Sequence, residues 1–399
     1  MTEVSQQIEQ LIAQVLPEAK ACRHDLHQFP ELTWQEVETS RKVAEALEAI
    51  EGISVTRGVG KYGVIGLIEG EKPGPTVALR ADMDALPVQE ANEHLSYRSK
   101  RPGTMHACGH DGHTANLLGV AKILAALRSE IHGKVQLIFQ PAEEGGAGAL
   151  AMVKDGALKG VDAIFGLHGW PELPCGTVGV RPGPFMAGNA VIKIKVTGKG
   201  GHAAMPQLTT DQVLVSAKVI EAVHHFGGRY LHPAEPFVVT ISHIHGGEAH
   251  NVIPHEVAMG GTIRFFSQDV FERARKKIEQ IVTGVASSFG ASANLEFEMG
   301  YPAVVNHGKT TDFFNQVVEE TLGKDKLAVM ALPTMGSEDF AYFLHEVPGT
   351  YFFLGMDDGT FEHGYPCLHN PSYNFNDDAL STGMRLLVSI GLKYGITGL

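Results

Sequence analysis

Apolar strand-like runs alternate with helical ones through the first half of this chain. An amphipathic stretch from Glu36 to Ala49 precedes YGVIGLIEG and PTVALRA; then come the helical ANLLGVAKILAALRSEI and the runs KVQLIFQ and DAIFGLH. Strands interleaved with helices predict an α/β fold whose mostly parallel sheet is covered on both faces. Ligands of such sheets bind beyond the carboxyl ends of the strands, so chemically capable side chains should fall just after each apolar run. PTVALRA leads into Asp82 and Asp84, KVQLIFQP into Glu143 and Glu144, and DAIFGL into His168. Three strands are thus expected to deliver acid or imidazole to one edge.

A second pattern starts near Asn189: strand AVIKIKVTG, helix from Asp211 to His225, strands FVVTIS and EVAMGGTIRFF, helix from Asp269 to Ser288, strand ASANLEFEM. The order βαββαβ is that of a self-sufficient small sandwich. It reads as an inserted domain over residues 187–299. After Tyr301 the first pattern resumes with a helix near Thr311, the TYFFLGM strand and a last helix from Asp377 through Tyr394. Residues 1–186 and 300–399 are therefore expected to form one discontinuous domain, and 399 residues suit two domains.

Charge narrows the partners. A formal net charge of -13 and a pI near 5.8 argue against nucleic acid or an anionic membrane, both of which recruit excess Lys and Arg. The opening MTEVSQQIEQLIAQVL carries acids and amides where a signal peptide would be basic, and no apolar run approaches the ~18 residues of a membrane span. A cytoplasmic location is expected. The four cysteines, Cys22, Cys108, Cys175 and Cys367, lack the density of a disulfide scaffold. Histidine, at 20 residues, is the unusual component, and it is the commonest metal ligand.

The segment MHACGHDGHTANLLGV sets Cys108, His110 and His113 at the start of a helix, with glycines at 109 and 112 that permit a tight turn. A lone cysteine would read as a small buried hydrophobe, but the packed CGHDGH cluster favours a metal, beside which the thiol is deprotonated. In PAEEGG, Glu143 and Glu144 follow a proline and precede two glycines. Adjacent residues of a regular strand face opposite ways, so both acids can serve one site only if the backbone turns there. One would bind metal while its neighbour acts as general base. His369 lies in the irregular PCLHNPSYNFND, whose composition reads as a loop. His94, His132, His224, His225, His232, His307, His345 and His363 have no comparable context and read as surface or structural residues.

At CGHDGHT, RADMDALP and QPAEEGG the sequence resembles the M20 metallopeptidase family, and within it the branch of hippurate hydrolases, aminoacylases and auxin-conjugate hydrolases. RHDLHQFPEL, GKGGHAAMP, NVIP, MGSEDFAYF and LHNPSYNFNDDAL extend the resemblance over nearly the whole chain in the right order. It implies a zinc-peptidase-like catalytic domain with a ferredoxin-like lid that dimerises. It implies two divalent ions, zinc or manganese with cobalt or nickel as alternatives, on Cys108, His110, Glu144, His168 and His369, with Glu143 as general base. Asp84 matches the acid that in the wider family orients a metal-binding His two residues earlier. Position 82 here is Asp, a departure from that pattern, and the resemblance implies Cys108 as the replacement bridging ligand. His202 matches a His that reaches across the dimer to an oxyanion, and Asn251 and Arg264 match residues that hold a substrate carboxylate.

The expected reaction is hydrolysis of an N-acyl amino acid, of the hippurate or N-acetyl type, to a free amino acid and a carboxylic acid. A dipeptidase or carboxypeptidase with the same machinery is the alternative. A silent metal-binding homologue is disfavoured because Glu143 is present, and a structural zinc site because no closed set of CxxC spacing occurs.

Overall fold

The computed structural model describes residues 3–398, and the chain divides into two compact units. The larger takes the chain up to Phe185, Val305–Pro333 and everything from Asp339 on; the smaller is Met186–Val304 with Thr334–Glu338.

The larger unit is built on an eight-stranded sheet. Its order is β1 (Ile53–Val59), β2 (Gly63–Glu69), β4 (His132–Gln140), β3 (Lys72–Asp82), β5 (Ala163–Pro174), β16 (Gly349–Asp357), β6 (Val178–Val180) and β15 (Leu327–Val329). The central run β4-β3-β5-β16 is parallel, whereas β1 with β2, β2 with β4 and β16 with β6 pair antiparallel. The parallel strands are near-continuous apolar runs because both faces are covered: Leu79, Leu137, Phe139, Phe165, Phe352 and Leu354 are fully buried. Helices α1 (Glu3–Gln28), α3 (His110–Ala126) and α9 (Ala379–Thr397) pack on one another. Around them α2 (Val37–Glu48) lies against β1 and β2, α7 (Gly308–Thr321) against α9 and β16, and α4 (Gly148–Lys154) against α8 (Ala341–Glu346). A short ribbon pairs β7 (Gly183–Met186) with β14 (Val304–Asn306).

In the smaller unit β8 (Gly188–Thr197), β10 (Phe237–His245), β12 (Glu256–Phe265) and β13 (Ser292–Met299) form an antiparallel sheet of order β10-β12-β8-β13. With α5 (Gln212–Tyr230) and α6 (Gln268–Ser288) this is the ferredoxin-like arrangement, and it encloses a core of its own around Ile192, Ile194, Val219, Phe271 and Ile278. Asp211 caps α5 by accepting the Leu214 N–H at 3.0 Å. A two-residue ribbon, β9 (Gly201–His202) with β11 (Val252–Ile253), belongs to the same unit.

Several boundaries differ from the sequence reading: the last helix is Ala379–Thr397, and Thr334–Glu338 joins the smaller unit. Helix α5 runs past His225 to Tyr230, because buried Phe226 anchors its last turn and the first true breaker is Pro233. His168 lies inside β5 rather than after it, since β16 continues to pair along β5 through Phe353 opposite His168. On its other flank β5 loses β3 after Arg80 and Gly166, which opens the sheet beside His168. No helix among the described residues is long and apolar enough to cross a membrane.

Candidate metal centre

The carboxyl ends of β3 and β4, the middle of β5 at His168 and the start of α3 converge in the larger unit. Gly109, at a φ of +88°, swings the chain so that His110 is the first residue of α3. A Cβ on Gly109 would stand 2.9 Å from the Tyr373 hydroxyl, and one on Gly112 would stand 2.3 Å from the Phe375 ring, so neither position has room for a side chain. Cys108, His110 and His168 are buried, with Cys108 Sγ 3.3 Å from His168 Nε2. The other nitrogen of His168 lies 2.8 Å from Gly169 O. A carbonyl can only accept, so Nδ1 carries the proton and Nε2 presents its lone pair toward the sulfur.

The turn after β4 does what the two acids require. Ala142 and Ala147 both take φ of 55°, in the left-handed region, and Gly145 takes +81°. Asp84 receives the turn: its Oδ1 accepts the Glu143 N–H at 3.0 Å and its Oδ2 the Glu144 N–H at 2.9 Å and the Thr33 hydroxyl at 2.9 Å. Asp84 Oδ1 also lies 3.3 Å from His110 Nδ1. As a result the ligand atoms of His110, Glu143 and Glu144 fall within 4.8 Å of one another. So do those of Cys108, His110 and His168, and those of Cys108, Glu144 and His369. His369 reaches in from a left-handed residue (φ 65°) whose N–H is tied to Ala107 O at 2.8 Å, which puts Nε2 3.3 Å from Glu144 Oε1.

His113, the third member of the CGHDGH cluster, is occupied elsewhere. Its Nε2 accepts the Gly169 N–H at 2.9 Å, so Nδ1 carries the proton it gives to Asp82 Oδ1 at 2.6 Å. Asp82 in turn accepts from Arg80 Nη1 at 2.7 Å. Arg80 is fully buried and also donates to Gln140 Oε1 at 2.8 Å and Asp339 Oδ1 at 3.2 Å. The sequence analysis gave no role to Arg80, Gln140, Asp339 or Thr33, although the first three stand inside the quoted RADMDALP, QPAEEGG and MGSEDFAYF.

The electrostatics suit a cation. Burial works against the charged His110 ring, yet Asp82, Asp84 and Glu144 push its pKa up to about 10. Burial, then the Glu144, Glu143 and Asp82 charges, hold the Cys108 thiol well above its ordinary value. Burial and neighbouring His113 push His168 down, keeping it a neutral donor. Beyond the Asp84 Oδ1 that faces Nδ1 at 3.3 Å, the buried ring nitrogens of His110 have no hydrogen-bond partner. Two overlapping sets of thiol, imidazole and carboxylate donors sharing Cys108, the first buried and the second opening to solvent at exposed His369, are a donor set for divalent ions.

His202, Asn251 and Arg264 lie in the smaller unit and in none of these groups. His202 and Asn251 are exposed and near each other, the Ala203 N–H donating to Asn251 O at 3.0 Å beside the β9–β11 ribbon. Arg264 is half-buried on β12, opposite Asn189 and Val238.

The chain matches Peptidase family M20/M25/M40 over residues 78–393. It belongs to this family. Like other M20 enzymes it is a hydrolase of C–N amide bonds. This M20 hydrolase is 43% identical over 376 residues to IAA-amino acid hydrolase ILR1-like 2 of Arabidopsis thaliana, spanning 93% of this chain and 84% of that one. It is 41% identical over 376 residues to Thermostable carboxypeptidase 1 of Saccharolobus solfataricus, spanning 93% and 94%. Among solved structures, the Bacillus subtilis YxeP protein, described as a dinuclear metal binding peptidase from the M20 family, superposes with a TM-score of 0.83 at 34% identity, covering 96% of this chain and 99% of that one.

Proposed function

We propose that this M20 hydrolase is a two-metal amidohydrolase that releases an amino acid from N-acyl amino acids. The observation that carries this reading is the pair of donor sets sharing Cys108, with Glu143 and Glu144 turned to the same side. Cys108, His110, Glu144, His168 and His369 would hold the ions, zinc or manganese, with cobalt and nickel as alternatives. When bound, the ions supply Lewis acidity, making a water more acidic and an amide carbonyl more electrophilic.

The remaining steps belong to the chain. Glu143 accepts the proton of the attacking water and passes it to the leaving nitrogen, so that the C–N bond breaks to an amine and a carboxylic acid. Asp84 orients His110 and the Glu143 turn. His202 donates a hydrogen bond to the developing oxyanion from the second copy of a homodimer. Supporting this role, its Nδ1 accepts the Ala204 N–H at 3.1 Å, so a neutral ring carries its proton on Nε2 as a donor. Asn251 and Arg264 bind the substrate carboxylate, for which a guanidinium is the natural bidentate partner. Residues 187–299 act as lid and dimerisation domain; the outer strand β10, with Val238 and Ile244 exposed, supports a pairing edge. The setting is cytoplasmic.

A relative named for IAA-amino acid conjugates supports the acylated substrate. One named a carboxypeptidase supports a second reading, in which the acyl group is itself an amino acid or peptide. The two separate in an assay of amino-acid release from N-acetyl, N-benzoyl and longer N-acyl amino acids beside dipeptides, using protein reloaded with zinc or manganese. Release from the acylated set, abolished by chelation, is the expected outcome. Release from dipeptides alone selects the peptidase, and silence under both metals overturns the proposal.

A further inference from the structure

Glu36 has no place in the chemistry described so far, and its setting is costly. It stands at the N-cap of α2 but makes no capping hydrogen bond. Its side chain turns inward instead, fully buried, where Oε1 accepts the Ala142 N–H at 2.7 Å and the Trp34 N–H at 3.1 Å. Burial, then the nearby Asp84 charge, push its pKa up to about 7. Two buried carboxylates side by side are unfavourable unless something nearby needs both.

The need is visible in the backbone. Ala142 holds a φ of 55°, a region that costs a residue with a Cβ on the order of 1–2 kcal/mol. Such a conformation persists only where its surroundings over-determine it. Three consecutive N–H groups, those of Ala142, Glu143 and Glu144, are captured by Glu36 and by the two oxygens of Asp84. On the carbonyl side, Ala142 O accepts the Gly148 N–H at 3.0 Å. Released, the segment would relax toward extended backbone, in which neighbouring side chains face opposite ways and Glu143 and Glu144 part.

We propose that Glu36 is a positioning residue for the hydrolysis: by holding the Ala142 N–H it keeps the left-handed turn that aims Glu143 at the metal centre. The proposal rests on Glu143 being the general base. It predicts a loss that depends on the hydrogen bond and on the cost of the turn, not on the bulk or charge of residue 36.

Four variants test it, read for kcat, KM, metal content and melting temperature with the best substrate of the panel. Glu36→Gln keeps an acceptor of the same reach and should retain kcat within a few-fold. Glu36→Met keeps length without an acceptor and should lose kcat by about ten- to a hundredfold, with KM and metal content unchanged. Ala142→Gly removes the cost of a positive φ, so combining it with Glu36→Met should restore much of the lost kcat, a rescue that a merely structural role would not produce. Glu143→Gln guards the premise and should be silent at full metal content. An active Glu143→Gln overturns the general-base reading and this proposal with it. If Glu143→Gln is silent, the proposal alone is overturned when Glu36→Met keeps wild-type kcat, when it loses metal, or when Ala142→Gly gives no rescue. Should Glu36→Met fail to fold, Glu36→Gln decides: loss of kcat there despite the retained acceptor overturns the proposal.

Discussion

At the scale of single residues, the candidate donors are aimed by partners outside the proposed ligand set. Asp84 is the clearest case, a carboxylate 1% exposed that takes two backbone N–H groups and a hydroxyl and faces His110 Nδ1. Asp84→Asn would turn an amide N–H toward groups that already donate, leaving a buried donor unmatched at about 1–3 kcal/mol. His110 would lose the partner that orients it, and metal affinity should fall about ten- to a hundredfold. Competition with a chromophoric chelator and thermal melting of the metal-free protein check the two effects separately. Cys108, His110, Glu143, Glu144 and His168 stood out as candidates in the sequence because they cluster beside glycines or follow apolar runs. Glu36 did not, because in sequence it is an ordinary acid opening an amphipathic helix.

At the scale of elements, the segments bearing the candidate ligands are tied together from behind by a buried charge network. Arg23 of α1, fully buried, donates through Nε to Asp111 Oδ2 and through Nη1 to Asp377 Oδ1, both at 3.0 Å. It thereby joins α1, the first turn of α3 and the segment that follows His369. His27, one turn further along α1, lies with Nδ1 2.8 Å from Asp111 Oδ2 and Nε2 3.2 Å from Glu90 Oε1. Burial opposes its charge, but the Asp111 and Glu90 carboxylates outweigh burial and raise its pKa. A raised pKa in the folded state means that the native protein holds a proton the unfolded chain has released above about pH 6.5. The stabilisation is therefore complete below that pH and is lost as pH rises through the elevated value. Urea unfolding of wild type and His27→Gln should show a stability gap at about pH 6 that narrows by about pH 9; a constant gap would mean that the ring is neutral throughout. Helix α1 escaped the sequence reading because Pro17 falls inside its 26 residues, where a proline ordinarily marks an end. What holds it is packing of Ile8, Ile12, Ala19 and Leu26, apolar positions whose helical spacing carries on through the proline.

At the scale of the whole molecule, the two units have separate hydrophobic cores, and the donor sets sharing Cys108 lie in the larger one. Ions that bind the folded state alone stabilise it by mass action, about 2.7 kcal/mol at a hundredfold excess over Kd. Chelation should therefore lower the calorimetric transition of the larger unit, and readdition of zinc or manganese should restore it. The ferredoxin-like unit encloses none of those ligands, so its unfolding should not respond. A uniform shift of the entire endotherm would instead show that the units melt as one.

From the sequence alone came most of the larger elements, the βαββαβ order of the smaller unit and the nomination of the candidate donors. Hydrophobic periodicity and residue chemistry are local properties, readable wherever the chain repeats every second or every third to fourth residue. Tertiary structure alone decided which acids meet which bases. Arg80 and Asp339 are 259 positions apart, and Arg23 and Asp111 are 88 apart, yet both pairs are buried ion pairs. It also decided that His113 serves Asp82 and Gly169 instead of the donor groups around Cys108, because a ring's role is set by what faces its two nitrogens. The strained turn at Ala142 belongs to the same class: nothing in PAEEGG requires it, and it exists because Glu36 and Asp84, from two other segments, are there to receive three backbone N–H groups.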